Sequence, residues 1–191
     1  CGEIVQGAID GQNFLITCPI ALYTEVTVKL VPSEGGFVCN EGERNRHYYN
    51  KSHKAVRLTL EHFEDSNYDA IISINSRIPR SIGLASSTAD ITATCLAVAR
   101  ALGRDMPPDV VADIALSIEP SDGVMFSGVM IFDHLRGKWR QRLGEVPDLD
   151  IYIIDTGESI DTMQFNDLVD LTERNRQKDP QVRKALQLAK A

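Results

Sequence analysis

A strand that runs straight into a loop of small residues and then into a long helix constrains this chain more than any other feature. Asp69 to Asn75, with Ala70-Ile71-Ile72-Ser73-Ile74 at its centre, reads as a short buried strand. The loop Pro79-Arg80-Ser81-Ile82-Gly83-Leu84-Ala85-Ser86-Ser87-Thr88-Ala89-Asp90 follows. Ile91, Cys95, Val98 and Leu102 then recur at helical spacing, which predicts a helix from near Ser86 to Gly103. From Gly83 to Ala89 every residue except Leu84 is small, so backbone N–H groups can approach a bulky anion. The helix adds its orphan N–H donors and N-terminal partial positive charge, an anion site that needs no basic side chain. Triphosphate is a natural occupant, and the hydroxyls of Ser86, Ser87 and Thr88 could bond phosphate oxygens or ligate Mg²⁺. The competing reading makes Ser86 or Ser87 a helix N-cap and the small residues a packing device. The pattern G-x-x-x-x-G-K-[ST] is absent, so this is no standard P-loop.

Around this unit, strands and helices interleave without regular βαβ spacing, which predicts a mixed α+β architecture. Phe14 to Ile20 and Tyr23 to Val31 read as strands, with Pro19 confined to an edge, end or bulge, and Phe37 to Cys39 as a further short strand. Val56, Leu60 and Phe63 predict an amphipathic helix over Asn50 to Phe63. Pro107-Pro108 opens another, with Val111, Ile114, Ala115 and Ile118 on one face and Pro120 as its stop. Gly128 to Asp133 and Leu149 to Asp155 read as strands. The tail from Gln164 to Ala191 reads as mainly helical with a break near Pro180.

The third helix delivers Glu119 to the turn Glu119-Pro120-Ser121-Asp122-Gly123. Phosphoryl transfer needs a divalent cation to neutralise charge and a group to position or deprotonate the acceptor, and one carboxylate could do each. An ordinary surface turn is the competing reading. The segment Cys1-Gly2-Glu3-Ile4-Val5-Gln6-Gly7-Ala8-Ile9-Asp10-Gly11 reads on spacing as a solvated hairpin with glycines at its turns.

Taken together, these segments resemble the GHMP kinase family. The run Pro79 to Ala89 is similar to its second motif, Pro-x-x-x-Gly-Leu-Gly/Ala-Ser-Ser-x-Ala, with the strand before and helix after that the motif has. Gly2-Glu3 and Gly7 or Gly11 resemble the first motif, and Glu119 to Gly123 the acidic turn. The resemblance implies a ribosomal protein S5 domain 2-like N-terminal ATP-binding domain over residues 1–160, with residues 161–191 beginning a ferredoxin-like C-terminal domain. It implies ATP and Mg²⁺ as cofactors. Pro79, Gly83, Leu84, Ala85, Ser86, Ser87 and Thr88 would hold the nucleotide, Ser87 and Glu119 the metal, and Asp122 would be the catalytic aspartate. Glu3 and Gln6 would face the acceptor. Within the family, Thr17-Cys18-Pro19-Ile20, Phe132-Asp133-His134 and Asp161 to Asn166 are most similar to the branch that phosphorylates L-threonine for cobalamin synthesis.

Bulk properties agree with a small-molecule enzyme. Twenty basic against 27 acidic residues give a net charge of −7, which offers no general attraction to nucleic acid or to an anionic membrane. The composition, 43% hydrophobic and 25% charged, is that of a folded globular chain. Cys1, Cys18, Cys39 and Cys95 form no C-x-x-C pair, and no secretory leader or membrane-length apolar run is seen, so a cytoplasmic address is the expectation. The opening at Cys1 and the stop inside a helical run read as those of a fragment, and the sequence leaves a homodimer open. Arg44, Arg46 and Lys51 with Tyr48 and Tyr49 read as a solvated basic-aromatic loop rather than an adenine- or ribose-facing wall.

Overall fold

In the computed structural model of the protein, residues 2–33, 38–40, 50–65, 67–146, 148–154 and 172–190 are described. The hairpin expected at the start is a long one. Strands β1 (Gly2–Ile9) and β2 (Gln12–Cys18) turn through Asp10-Gly11, both at positive φ as a tight two-residue hairpin requires. β2 also pairs antiparallel with β6 (Val129–Phe132), and β6 with β7 (Arg140–Gly144), giving the sheet order β1-β2-β6-β7. A second sheet has the order β3-β5-β4, from β3 (Thr24–Pro32), β4 (Val38–Asn40) and β5 (Tyr68–Ser76), with β3 antiparallel and β4 parallel to β5. Four helices complete the chain: α1 (Asn50–His62), α2 (Ser86–Ala101), α3 (Pro108–Ile118) and α4 (Thr172–Lys190).

Why β2 reads as a continuous apolar run rather than an alternating one is explained by what covers it. Phe14 and Ile16 pack with Val129, Ile131 and Leu186 of α4 on one face. Leu15 and Phe132 pack with Ala112 of α3 on the other. Both faces are therefore core, and Phe14, Leu15, Ile16 and Phe132 are fully buried. Each such side chain stabilises the fold by about 1.5–3 kcal/mol relative to an exposed one. The second sheet buries Ala70 and Ile72 of β5 against Val56 and Leu60 of α1 and Val98 of α2. A third cluster joins Ala55 of α1, Ile91 and Cys95 of α2, and Val111, Ile114 and Ala115 of α3. These three helices thereby form a packed unit whose polar ends converge on one site.

Two expectations change. Leu149 to Ile154 form no strand; Leu149, Tyr152 and Ile154 are exposed, and no ladder partner pairs with them among the described residues, without which apolar alternation cannot make a strand. Asp155 lies outside the described residues. Pro180 does not break the tail, since α4 continues through it. The ring removes one intrahelical bond, but Val182 and Leu186 dock on the sheet beyond it, and Arg183 bonds Asp179 at 2.7 Å and Asp10 at 2.6 Å, so tertiary contacts override the local cost. Trp139 is likewise tied into this layer, 5.4 Å from Phe14 by ring centroids and under the Lys190 ammonium. β7 was not anticipated, because Arg140-Gln141-Arg142-Leu143-Gly144 is a polar edge strand with little apolar patterning.

Candidate active site

The small-residue loop ends in a helix start that has no side-chain cap. The residue preceding α2 is Ala85, held at φ 54° and ψ 30°, and neither Ser86 nor Ser87 caps the helix. A non-glycine residue in the left-handed region costs about 1–3 kcal/mol, and Ser81 (φ 60°) is held there as well. With Gly83 at φ 80°, positive φ falls at every second position from 81 to 85. Such alternation gathers successive N–H groups into an anion-binding concavity. The N-cap reading of Ser86 and Ser87 is thus set aside, and no side-chain hydroxyl caps the first donors of α2.

Ser87 spends its hydroxyl elsewhere, donating to Glu119 Oε1 at 2.5 Å. Glu119 sits at the end of α3 with an extended backbone, and only 8% of the residue is exposed. Its second oxygen accepts from Lys51 Nζ at 2.5 Å. The next turn is fixed at both sides: Ser121 N–H donates to His134 C=O (3.0 Å), and Asp122 N–H to Thr88 Oγ1 (3.5 Å). Asp122 is thereby placed against the first turn of α2. Burial, reinforced by the charge of Glu119, pushes its carboxyl up to about 6.

β1 carries Glu3 and Gln6, the two residues expected to face an acceptor. Glu3 lies opposite Thr17 and Gln6 opposite Leu15, with a register shift between Glu3 and Val5. That bulge puts Glu3 and Gln6, three positions apart in sequence, on the same face of the sheet, the one that α3 covers; regular alternation would have separated them. Partial desolvation, with Asp122 nearby, raises the Glu3 carboxyl to about 7 even though much of the residue is open to solvent. Glu3 and Asp122 therefore share one electrostatic environment. Gln6 is exposed on the same face, further along the strand.

The GHMP kinases N terminal domain matches residues 50–130, the span that holds the loop, Lys51 and the carboxylate turn. An L-threonine kinase of Citrobacter freundii is 31% identical over 169 residues, covering 87% of this chain and 55% of that protein. An L-threonine kinase of Salmonella typhimurium is 30% identical over 171 residues, covering 88% and 53%. The chain belongs to the GHMP kinase family. It spans about half the length of these curated relatives. The fold is that of a crystal structure of mevalonate kinase (TM-score 0.58, 16% identity, 75% of this chain and 54% of that one). A 4-(cytidine 5'-diphospho)-2C-methyl-D-erythritol kinase shares it too (TM-score 0.53, 20% identity, 74% and 52%).

For a GHMP kinase, the oxygen donors at this site are of the right chemical kind. Ser87 Oγ and the buried Glu119 offer hard ligands as a pre-set pair, which suits Mg²⁺ taking the rest of its shell from phosphate and water. Among the described residues no group of three or more His, Cys, Asp or Glu side chains could enclose a metal by itself. The loop is tied down from behind: Asp90, 5% exposed, accepts from Thr24 Oγ1 of β3 at 2.7 Å and from Arg80 of the loop at 3.2 Å. Burial raises the Asp90 carboxyl, and those two contacts oppose the rise.

Ser87, Thr88, Glu119, Asp122 and Glu3 thus come together as one cluster. Gly83, Leu84, Ala85 and Ser86 form the rim at the start of α2, and Pro79 is exposed at the loop's entry. Two features went unread in the sequence. Lys51 belongs to α1 and pairs with Glu119, not to a solvated loop; Arg44, Arg46, Tyr48 and Tyr49 lie outside the described residues. The Thr24–Asp90–Arg80 network joins residues far apart in the chain, with only Asp90 on an otherwise buried helix face as a signal. Among the described residues no helix is long and apolar enough to cross a membrane.

Proposed function

We propose that this protein is an ATP-dependent small-molecule kinase that phosphorylates the side-chain hydroxyl of L-threonine, giving ADP and O-phospho-L-threonine for cobalamin synthesis. The observation that carries the reading is the convergence of an uncapped helix start with a partly buried Ser87–Glu119 pair and with Asp122. In this reading the loop from Pro79 to Thr88 and the N-terminus of α2 hold the β- and γ-phosphates. Mg²⁺, when bound at Ser87 and Glu119, supplies neutralisation of the charge that develops on the phosphates. Asp122, with a carboxyl near 6, is largely ionised at neutral pH and basic enough to accept the proton of the threonine hydroxyl. As the threonine oxygen bonds to the γ-phosphorus, the bond to the β–γ bridging oxygen breaks and ADP leaves. Glu3 and Gln6 position the amino acid. The work is mostly orientation and electrostatics, as phosphoryl transfer requires.

The choice of L-threonine draws its support from the two L-threonine kinases, whose likeness covers most of this chain. The division at residue 160 belongs to the same reading, with α4 then closing the outer face of the four-stranded sheet. Incubating the intact protein with ATP, Mg²⁺ and, separately, L-threonine, L-serine, homoserine and mevalonate tests it through ADP release. Threonine-dependent ADP that falls at least a hundredfold in Asp122→Asn is the expected outcome, in line with the loss of a positioned base. Turnover on another acceptor would move the specificity elsewhere in the family, and nucleotide binding without turnover on any acceptor would refute the kinase reading.

A further inference from the structure

Lys51 is the one cation that touches the candidate metal carboxylate among the described residues, and its geometry asks for a role. Its Nζ lies 2.5 Å from Glu119 Oε2 while Ser87 holds Oε1. Three helices meet here, and the cluster of Ala55, Ile91, Cys95, Val111 and Ala115 fixes α1, α2 and α3 against one another, so the three side chains are brought together by a rigid core. The two partners differ in exposure: the Glu119 side chain is 7% exposed and that of Lys51 is 41%. A buried carboxylate needs a counter-charge, and the lysine supplies it from a flexible stem whose base alone is anchored in the first turn of α1.

A hard divalent cation binding at Ser87 and Glu119 competes directly with that ammonium, because both draw on the same carboxylate. Once the cation is present Glu119 no longer needs Lys51. In the kinase reading the triphosphate, carrying more negative charge than the cation neutralises, would lie beside the start of α2, where Ser87 and Lys51 share the carboxylate of Glu119. We propose that Lys51 is a mobile counter-charge: it neutralises Glu119 in the empty site, yields that carboxylate to the divalent cation, and then donates to the phosphate oxygens of the nucleotide. This rests on the kinase reading of the same site and adds to it a phosphate-binding residue supplied by α1.

The proposal requires two shifts of opposite sign in one variant. Lys51→Met keeps most of the stem and removes the charge. In the absence of nucleotide, Mn²⁺ titrated into the protein and followed by the electron paramagnetic resonance signal of the free ion should bind several-fold more tightly to Lys51→Met than to wild type. The Mg²⁺ complex of a non-hydrolysable ATP analogue, followed by calorimetry, should bind about tenfold more weakly, the change expected on losing one charge-assisted contact. Lys51→Arg should restore both values toward wild type. A purely structural lysine would weaken both ligands or neither, and either result overturns the proposal. If Lys51→Met does not fold, Lys51→Gln carries the same comparison, judged by the same two shifts. Wild-type protein that binds no nucleotide would sink the kinase reading itself; wild-type protein that binds it, with no opposed shifts in the variant, would sink only the role of Lys51.

Discussion

Replacing the candidate base should make this protein more stable, and should do so more at high pH than at low. In Asp122→Asn the backbone N–H that Asp122 donates to Thr88 is kept, and only the carboxylate is lost. In the wild type, burial first and Glu119 as well raise this carboxyl from 3.8 to about 6. The folded-state pKa exceeds the unfolded one, so the group's stabilising contribution is complete below 3.8 and is lost as pH rises through about 6. Ionising it in place costs at most about 3 kcal/mol, at about 1.4 kcal/mol per pH unit of displacement. Roughly half of that loss falls between pH 5 and pH 8, and because the Asp122 residue keeps some contact with solvent, screening trims this part to about 1 kcal/mol. Glu3, raised to about 7 by desolvation and then by Asp122, adds a contribution of the same sign when Asp122 is neutralised. The stability advantage of Asp122→Asn over wild type should therefore grow by about 1 kcal/mol from pH 5 to pH 8. Urea unfolding at the two pH values, read from the fluorescence of the single tryptophan, Trp139, measures it. An advantage that stays constant with pH, or a variant less stable than wild type at pH 8, would refute the reasoning. The accompanying loss of ADP release would mark the site as one that trades stability for activity.

Two further outcomes follow from backbone and network geometry. Gly128 has φ 79°, and a Cβ there would lie 2.2 Å from the Gly144 carbonyl oxygen across the β6–β7 edge. Gly128→Ala should thus cost about 2–4 kcal/mol, visible as a clear drop in melting temperature, and an unchanged melt would show that this edge is not rigid. Thr24→Val removes the 2.7 Å hydrogen bond to the buried Asp90, for an expected loss of about 1–3 kcal/mol in urea unfolding. Because Asp90 also holds Arg80, hydrogen exchange over residues 79–85 should quicken in the same variant; equal exchange would mean the loop is ordered independently of this network.

Much of the candidate site could be read before any coordinates, because its signals are local. A strand, a small-residue loop and an amphipathic helix in direct succession leave few alternatives for residues 69–103, and the structure places β5 and α2 close to the expected bounds. The turn at Glu119 to Gly123 was legible for a similar reason, since Pro108 and Pro120 frame α3. The polar strand β7 and the continuity of α4 through Pro180 were not, since each depends on a partner distant in sequence.

Sequence by itself determined which residues have the chemistry for phosphate and metal: small residues at a helix start, hydroxyls beside them, and two carboxylates in one turn. It could not tell whether Ser87 caps the helix, because a cap and a ligand both need only a serine at that position; the left-handed Ala85 and the hydrogen bond to Glu119 removed the cap reading. Nor could alternation place Glu3 and Gln6 on one face, which took a bulge whose register is set by pairing with β2. Lys51 lies 68 positions from Glu119. A charge pair at that separation is written only when three helices pack on a shared core, for a long-range ion pair leaves no periodicity in the chain, whereas a helix start or a tight turn is encoded by its immediate neighbours.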